Sequence, residues 1–179
     1  NANNTGIIGQ GVTLASTGGT VNLASGTFTD PSTINIDKNL TLNGTTGTTV
    51  SGNNNKQVFN ISGGSVTLNS LTIAGGSISG NGGGVFIGSG ATVAISNSTI
   101  SGNTASIGGG IHNRGSLSVT SSSVSGNLAT NSGGGIYNRG TGSLSISSST
   151  ISNNTATNNG GGLFNYGSLS ISSSTLSGN

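Results

Sequence analysis

The sequence contains no cysteine, no methionine and no tryptophan, and its acidic residues are two aspartates with no glutamate. Without cysteine there is no disulfide framework, no thiolate metal ligand and no thiol nucleophile. Methionine is missing even from position 1, which implies a chain processed or excised from something longer. Charge is scarce as well. The charged side chains are Asp30, Asp37, Lys38, Lys56, Arg114 and Arg139, for a net charge of +2. A nucleic-acid partner requires Lys and Arg clustered on one face, and these cations form no such patch. No run of about 18 apolar residues occurs, so no membrane span is expected.

The same scarcity bears on catalysis. Acid–base glycoside chemistry needs two carboxylates, and calcium sites need several oxygen ligands that include carboxylates. Asp30 and Asp37 lie in one loop-rich stretch with Pro31 and Lys38, and read as turn residues with a local ion pair. His112 is the single histidine. With no carboxylate or second ligand at its own repeat, it makes neither a triad nor a metal site. The expectation is a chain that is not an enzyme and that uses no metal and no cofactor.

Glycine is abundant, at 35 of 179 residues, and only 29% of the chain is hydrophobic. Such a composition normally signals disorder. Disordered chains usually carry high net charge, however, and this one repeats itself instead. GGGIHNRGSLSVTSSSVSGN at 108–127 is echoed by GGGIYNRGTGSLSISSSTISNN at 133–154 and by GGGLFNYGSLSISSSTLSGN at 160–179. Val58, Val85, Ile111, Ile136 and Leu163 recur at steps of 25 to 27 residues. A second landmark is an apolar-x-apolar pair: Val21/Leu23, Leu40/Leu42, Val66/Leu68, Val93/Ile95, Leu117/Val119, Leu144/Ile146 and Leu169/Ile171. A third is a single aliphatic at Ile73, Ile100, Val124, Ile151 and Leu176.

Within each signal apolar and polar residues alternate, as in SLSIS at 143–147. Period two means strand with one buried face. No window shows the 3.6 period of a capped helix. Three short strands in each period of about 25 residues predict an all-β fold, a right-handed single-stranded parallel β-helix of about seven coils. Residues 1–179 then form one domain, with irregular opening coils at 1–57 and regular repeats at 58–179. The energetics require repetition. Burying an aliphatic side chain contributes roughly 1.5–3 kcal/mol, while ordering each residue costs about 1–2 kcal/mol of backbone entropy. A single coil cannot fold alone, whereas stacked coils share one core and satisfy each other's backbone groups.

Asparagines mark two further repeat positions. One holds Asn60, Asn113, Asn138 and Asn165, interrupted by Ile87. The other holds Asn103, Asn127, Asn154 and Asn179, interrupted by Gly76. Asn tolerates left-handed corners, and stacked amides bond from coil to coil, so both are read as structural ladders.

GGGIYNRGTGSLSISSSTISNN resembles the repeats of right-handed parallel β-helix surface proteins, especially the polymorphic outer-membrane protein type. Those repeats carry a GGAI and an FxxN element. Here Gly133–Ile136 stands for the first, and an aliphatic replaces Phe in the second, as in Ile100/Asn103, Val124/Asn127, Ile151/Asn154 and Leu176/Asn179. The resemblance covers 58–179. Residues 18–42 are similar to the opening coils of the pectate-lyase-like β-helix class. The resemblance implies an extracellular or cell-surface protein of microbial type, and because the fold hosts many activities it implies no single one.

Three surface features follow from the alternation. Phe59, Phe86, His112, Tyr137 and Phe164 share one repeat position and should point outward, as structural stacking or as a platform for sugars or a partner surface. Arg114, Arg139 and Tyr166 form a neighbouring ladder, splayed into solvent or binding a carboxylate or sulfate group on a polymer. An outward serine grid comprises Ser116, Ser118 and Thr120, then Ser143, Ser145 and Ser147, then Ser168, Ser170 and Ser172. It resembles the hydroxyl arrays of ice-binding solenoids, which favour threonine. Both ends read as open: NANNTGIIGQGVTL shows no amphipathic cap, and the chain stops at SGN in the middle of a repeat. Open ends expose core and unpaired strand edges, and a heterologous contact between them generates filaments. The sequence therefore points to a secreted structural protein stacking end to end, on another copy or on neighbouring coils of a longer chain. An adhesin or glycan-binding module is the alternative.

Overall fold

A computed structural model describes residues 7–179. They form a parallel β-solenoid of about six turns, with about 25 residues per turn. The count is close to the seven coils that the sequence period suggests, and a helix, α1 (Ile7–Leu14), precedes the first of them. Among the described residues no helix is long and apolar enough to cross a membrane.

Three sheets run along the axis. The first is the widest. It passes from Gly19–Asn22 through Leu40–Asn43 to the long strands Phe59–Asn69 and Val85–Ser96. Beyond these each strand is broken in two, as in Ile111–Asn113 and Ser116–Thr120. The second sheet has seven strands: Gly26–Phe28, Thr48–Ser51, Thr72–Ala74, Thr99–Ser101, Ser123–Ser125, Thr150–Ser152 and Thr175–Ser177. The third is short, with Thr104–Ile107, Leu128–Ser132 and Thr155–Ala156. Every named pairing is parallel and joins successive coils, in most cases at the same landmark. Ile111 pairs with Val85 and Ile136, and Val124 with Ile100 and Ile151. Except in the last coil, the aliphatics of all three landmarks line or pack against one continuous core.

Two registers differ from the sequence alignment. Val21 pairs with Leu42 and not with Leu40, so Leu23 falls beyond the strand and fills a corner. An amide ladder sets this register: Asn43 Nδ2 donates to Asn22 Oδ1 at 3.2 Å, and Asn69 Nδ2 to Asn43 Oδ1 at 2.7 Å. Further on, Phe59 pairs with Val85, which moves Val58 out of its expected place by one residue. The shift lets Phe59 and Ile61 point inward together, opposite Val85 and Ile87. The rejected register would put Asn60 in the core and Ile61 outside.

The N-terminal end is covered, contrary to the expectation of two open ends. Ile8 and Val12, one helical turn apart, are buried in the core, and α1 packs on Gly19–Asn22 and Ile34–Ile36. Two of the few charged residues hold the helix by its ends. Asp30 Oδ2 accepts the Gly9 N–H at 3.2 Å in the first turn. Lys38 Nζ donates to the carbonyls of Thr13 and Ala15, at 3.2 and 2.6 Å, in the last. An anion at the N-terminus and a cation at the C-terminus both oppose the helix dipole. Lys38 is thus engaged with α1 and not with Asp37. Two glycines lower helix propensity in IIGQGVTL and mask the signal. At Gly11 a Cβ would lie 3.2 Å from Val21 Cγ1, so a larger residue there requires Val21 to give way by a few tenths of an ångström. At the other end the last coil leaves Leu169, Ile171 and Leu176 at 39%, 40% and 44% exposure.

Candidate functional site

The aromatic position is built on the first sheet, where the strand beginning at each Gly-Gly-Gly turn alternates in, out, in. Phe86, His112, Tyr137 and Phe164 stand in strict register. Successive ring centroids are 5.3, 5.1 and 5.4 Å apart. Phe59 is not part of this stack; it lies fully buried in the core, and Asn60 occupies the outward position opposite Phe86. The stack has four rings, flanked by Tyr166, whose ring lies 4.9 Å from Phe164 at 85° and 6.3 Å from Tyr137. The turn glycines pack directly beneath it. Gly133 has φ 70°, and a Cβ there would lie 2.8 Å from Tyr137 Cβ.

His112 is the anomaly of this column. It faces out of the sheet yet is only 2% exposed, covered by its neighbours. Among the described residues neither ring nitrogen has a hydrogen-bond partner, and neither does the buried Nε of Arg114. Burial lowers the imidazole from its usual 6.5 to about 4, and the charges of Arg114 and Arg139 push the same way. The ring is therefore neutral at physiological pH and serves as one more flat side chain. Arg114, Arg139 and Tyr166 follow in backbone register: Arg139 N–H donates to Asn113 O and Tyr166 N–H to Asn138 O, both through the adjacent coil. Arg139 and Tyr166 are exposed, with Tyr166 at 66%.

The asparagine ladders are internal. Asn103, Asn127 and Asn154 are buried, and each donates backbone N–H and side-chain Nδ2 to the next Oδ1, ending on Asn179, at 2.9–3.1 Å. The left-handed residue at this corner is the one before, as at Gly102, Gly126, Asn153 and Gly178, so the asparagine itself supplies only the amide. Asn113, Asn138 and Asn165 make a second ladder with two bonds of 2.7 Å. Asn60 does not belong to it; its Nδ2 donates to Asn35 Oδ1 at 2.8 Å on the outside. Asp30 is buried against α1. Burial raises its carboxyl above the ordinary 3.8, and the Gly9 N–H and Lys56 draw it partly back. Among the described residues no three His, Asp or Glu side chains come together as a metal site.

Two columns escape the sequence reading. Ser98, Ser122, Ser149 and Ser174 form a corner ladder in which each Oγ accepts the N–H of the preceding coil at 3.1 Å and donates to the carbonyl two residues back. The residue before each is left-handed: Asn97, Ser121, Ser148 and Ser173 have φ near 50°. The second column lies on the second sheet. Thr27, Thr49, Thr72, Thr99, Ser123, Thr150 and Thr175 are aligned one above another by the pairing register. Both were detectable as the polar flanks of the third landmark, in phrases such as NSTIS and SSTIS. The serine grid of the first sheet is aligned as expected, from Ser116↔Ser143 to Ser147↔Ser172. Comparison with protein-family models, with curated proteins and with solved structures finds no match for this chain.

Proposed function

We propose that the chain is a structural β-helix segment of an extracellular or cell-surface assembly, extended by stacking further coils on its last turn. The observation that carries the reading is the chemistry of that turn. Leu169, Ile171 and Leu176 occupy core columns yet stand exposed, and the amide ladders reach Asn165 and Asn179 with no further Oδ1 above them among the described residues. The complement of such an edge is a parallel coil of the same repeat, bringing its own aliphatics and asparagines. That coil comes from the same polypeptide or from another copy. In another copy α1 lies over the first turn, so stacking between copies requires α1 to leave. The resemblance of residues 58–179 to polymorphic outer-membrane protein repeats supports the surface location, and no catalytic role is assigned.

Electron microscopy tests the proposal with Ile8→Asp/Val12→Asp, which dislodges the helix. Ordered rods of one coil's width are expected, and Leu176→Lys added to the same chain should abolish them. Monomers of the dislodged variant at every concentration, with circular dichroism of a folded sheet, reject stacking between copies.

The glycan-binding reading is favoured by one observation, the exposed Tyr166 standing edge-on to Phe164 beside the exposed Arg139. Rings of this kind stack on sugar faces, and a guanidinium pairs with their carboxylate or sulfate groups. A glycan array with the parent chain, Tyr166→Ala and Arg139→Ala decides it; a parent that binds nothing ends this reading.

A further inference from the structure

The second sheet differs from its neighbours in being regular throughout. The first and third sheets each contain a register shift, between Ile61 and Gly63 and between Ala105 and Ile107, whereas the second pairs seven strands without one. Strands about 4.8 Å apart put its outer surface on a lattice roughly 29 Å long. One column of that lattice is the run from Thr27 to Thr175, threonine at every level except Ser123. Two residues on, about 6.6 Å across the strand, stands a second column with Ser51, Ala74, Ser101, Ser125, Ser152 and Ser177. No charged and no outward aromatic side chain lies on these strands.

We propose that this face binds ice. The ligand must be periodic in two directions, because the face is. It must be uncharged and rich in hydrogen-bonding groups, because the face offers only hydroxyls and methyls. Thr120 and Ser147 on the first sheet are 3.1 Å apart and share a hydrogen bond. The threonine column has no such internal bond among the described residues, so its hydroxyls are available to water. Threonine is β-branched and stiff at χ1, so the array is ordered before it meets its ligand and little entropy is lost on binding. Each hydroxyl contact is weak, but seven levels on one rigid body act together. A crystalline polysaccharide is the competing solid. It is gripped by exposed aromatic rings, and the one ring on the second sheet, Phe28, is buried in the core.

The test uses the intact chain in two assays: partition into a slowly growing ice ball, and thermal hysteresis by nanolitre osmometry. The parent should concentrate in the ice and shape its crystals. Thr99→Lys and Thr150→Lys should each fall to the buffer baseline, while Ser145→Lys on the first sheet should behave as the parent. Thermal melts of all four check that the solenoid persists. Exclusion of the folded parent from ice overturns the proposal. So does full activity in both folded threonine variants, or equal loss in Ser145→Lys, or adsorption to cellulose or chitin without adsorption to ice.

Discussion

Replacing His112 by phenylalanine should make the protein more stable and remove most of its sensitivity to mild acid. The imidazole lies between Phe86 and Tyr137, with centroids 5.3 and 5.1 Å away, in a position that adjacent coils fill with Phe or Tyr. Phenylalanine therefore fits the shape of the site. At pH 7.5 the neutral imidazole keeps one N–H and one lone pair buried without partners. An unsatisfied buried polar group costs about 1–3 kcal/mol, so His112→Phe should gain on the order of 1–2 kcal/mol after repacking. The acid response is separate. In the folded protein the imidazole titrates at about 4, against 6.5 when unfolded. Between those values the unfolded chain binds a proton that the folded chain refuses. Stability from this group is complete above 6.5 and is lost as pH falls towards 4. At 1.36 kcal/mol per unit the loss is about 3 kcal/mol. Urea unfolding of both chains at pH 7.5, 6, 5 and 4.5, followed by circular dichroism, measures both effects. A His112→Phe protein that is less stable at pH 7.5, or that loses stability below pH 6.5 as steeply as the parent, refutes the reasoning.

Further outcomes follow from the ladders and the helix clamp. Asn127→Ala removes an Oδ1 that accepts two bonds from Asn103 and an Nδ2 that donates to Ile100 O and Asn154 Oδ1. Denaturant midpoints should show a loss of about 3 kcal/mol, against under about 0.5 for the exposed Asn158→Ala. Gly133→Ala places a Cβ 2.8 Å from Tyr137 Cβ at a φ of 70° and should cost about 2 kcal/mol, read as a lower melting temperature. Lys38→Ala frees the Thr13 and Ala15 carbonyls and should weaken α1 by about 1 kcal/mol, seen as faster amide exchange in that helix alone. Because the Asp30 carboxyl is raised, its contribution to stability is present below pH 3.8 and lost as pH rises through the folded value. Asp30→Asn keeps the acceptor and should leave α1 protection intact at pH 7, whereas Asp30→Ala should reduce it.

The solenoid was legible because its signal is redundant. Ile73, Ile100, Val124 and Ile151 each repeat the same alternation, and a strand has no other way to bury them. Where the repeat decays, local bonds decide and spacing does not. Val21 follows the Asn22–Asn43 amide bond, and Phe59 follows its partnership with Ile61. α1 is hidden in the sequence because its two glycines weaken the helix signal, and one of them, Gly11, sits close against Val21. The aromatic column was readable except for its first member, and the burial of His112 was not, since it depends on rings contributed from adjacent coils. The threonine column leaves a fainter trace, one polar residue per level beside the third landmark, and the pairing register shows that these residues form a single line.

The closed end gives the molecule a polarity that its monotonous sequence conceals. α1, Asp30 and Lys38 belong to the opening residues alone, whereas every later coil offers its successor the same edge. Splicing in a duplicate of residues 128–154, one Asn127-to-Asn154 step of 27 residues, should lengthen the body by one layer and leave the seal untouched. Length in such a protein can change during evolution in whole layers, by recombination between near-identical stretches of gene, without any redesign of the interior.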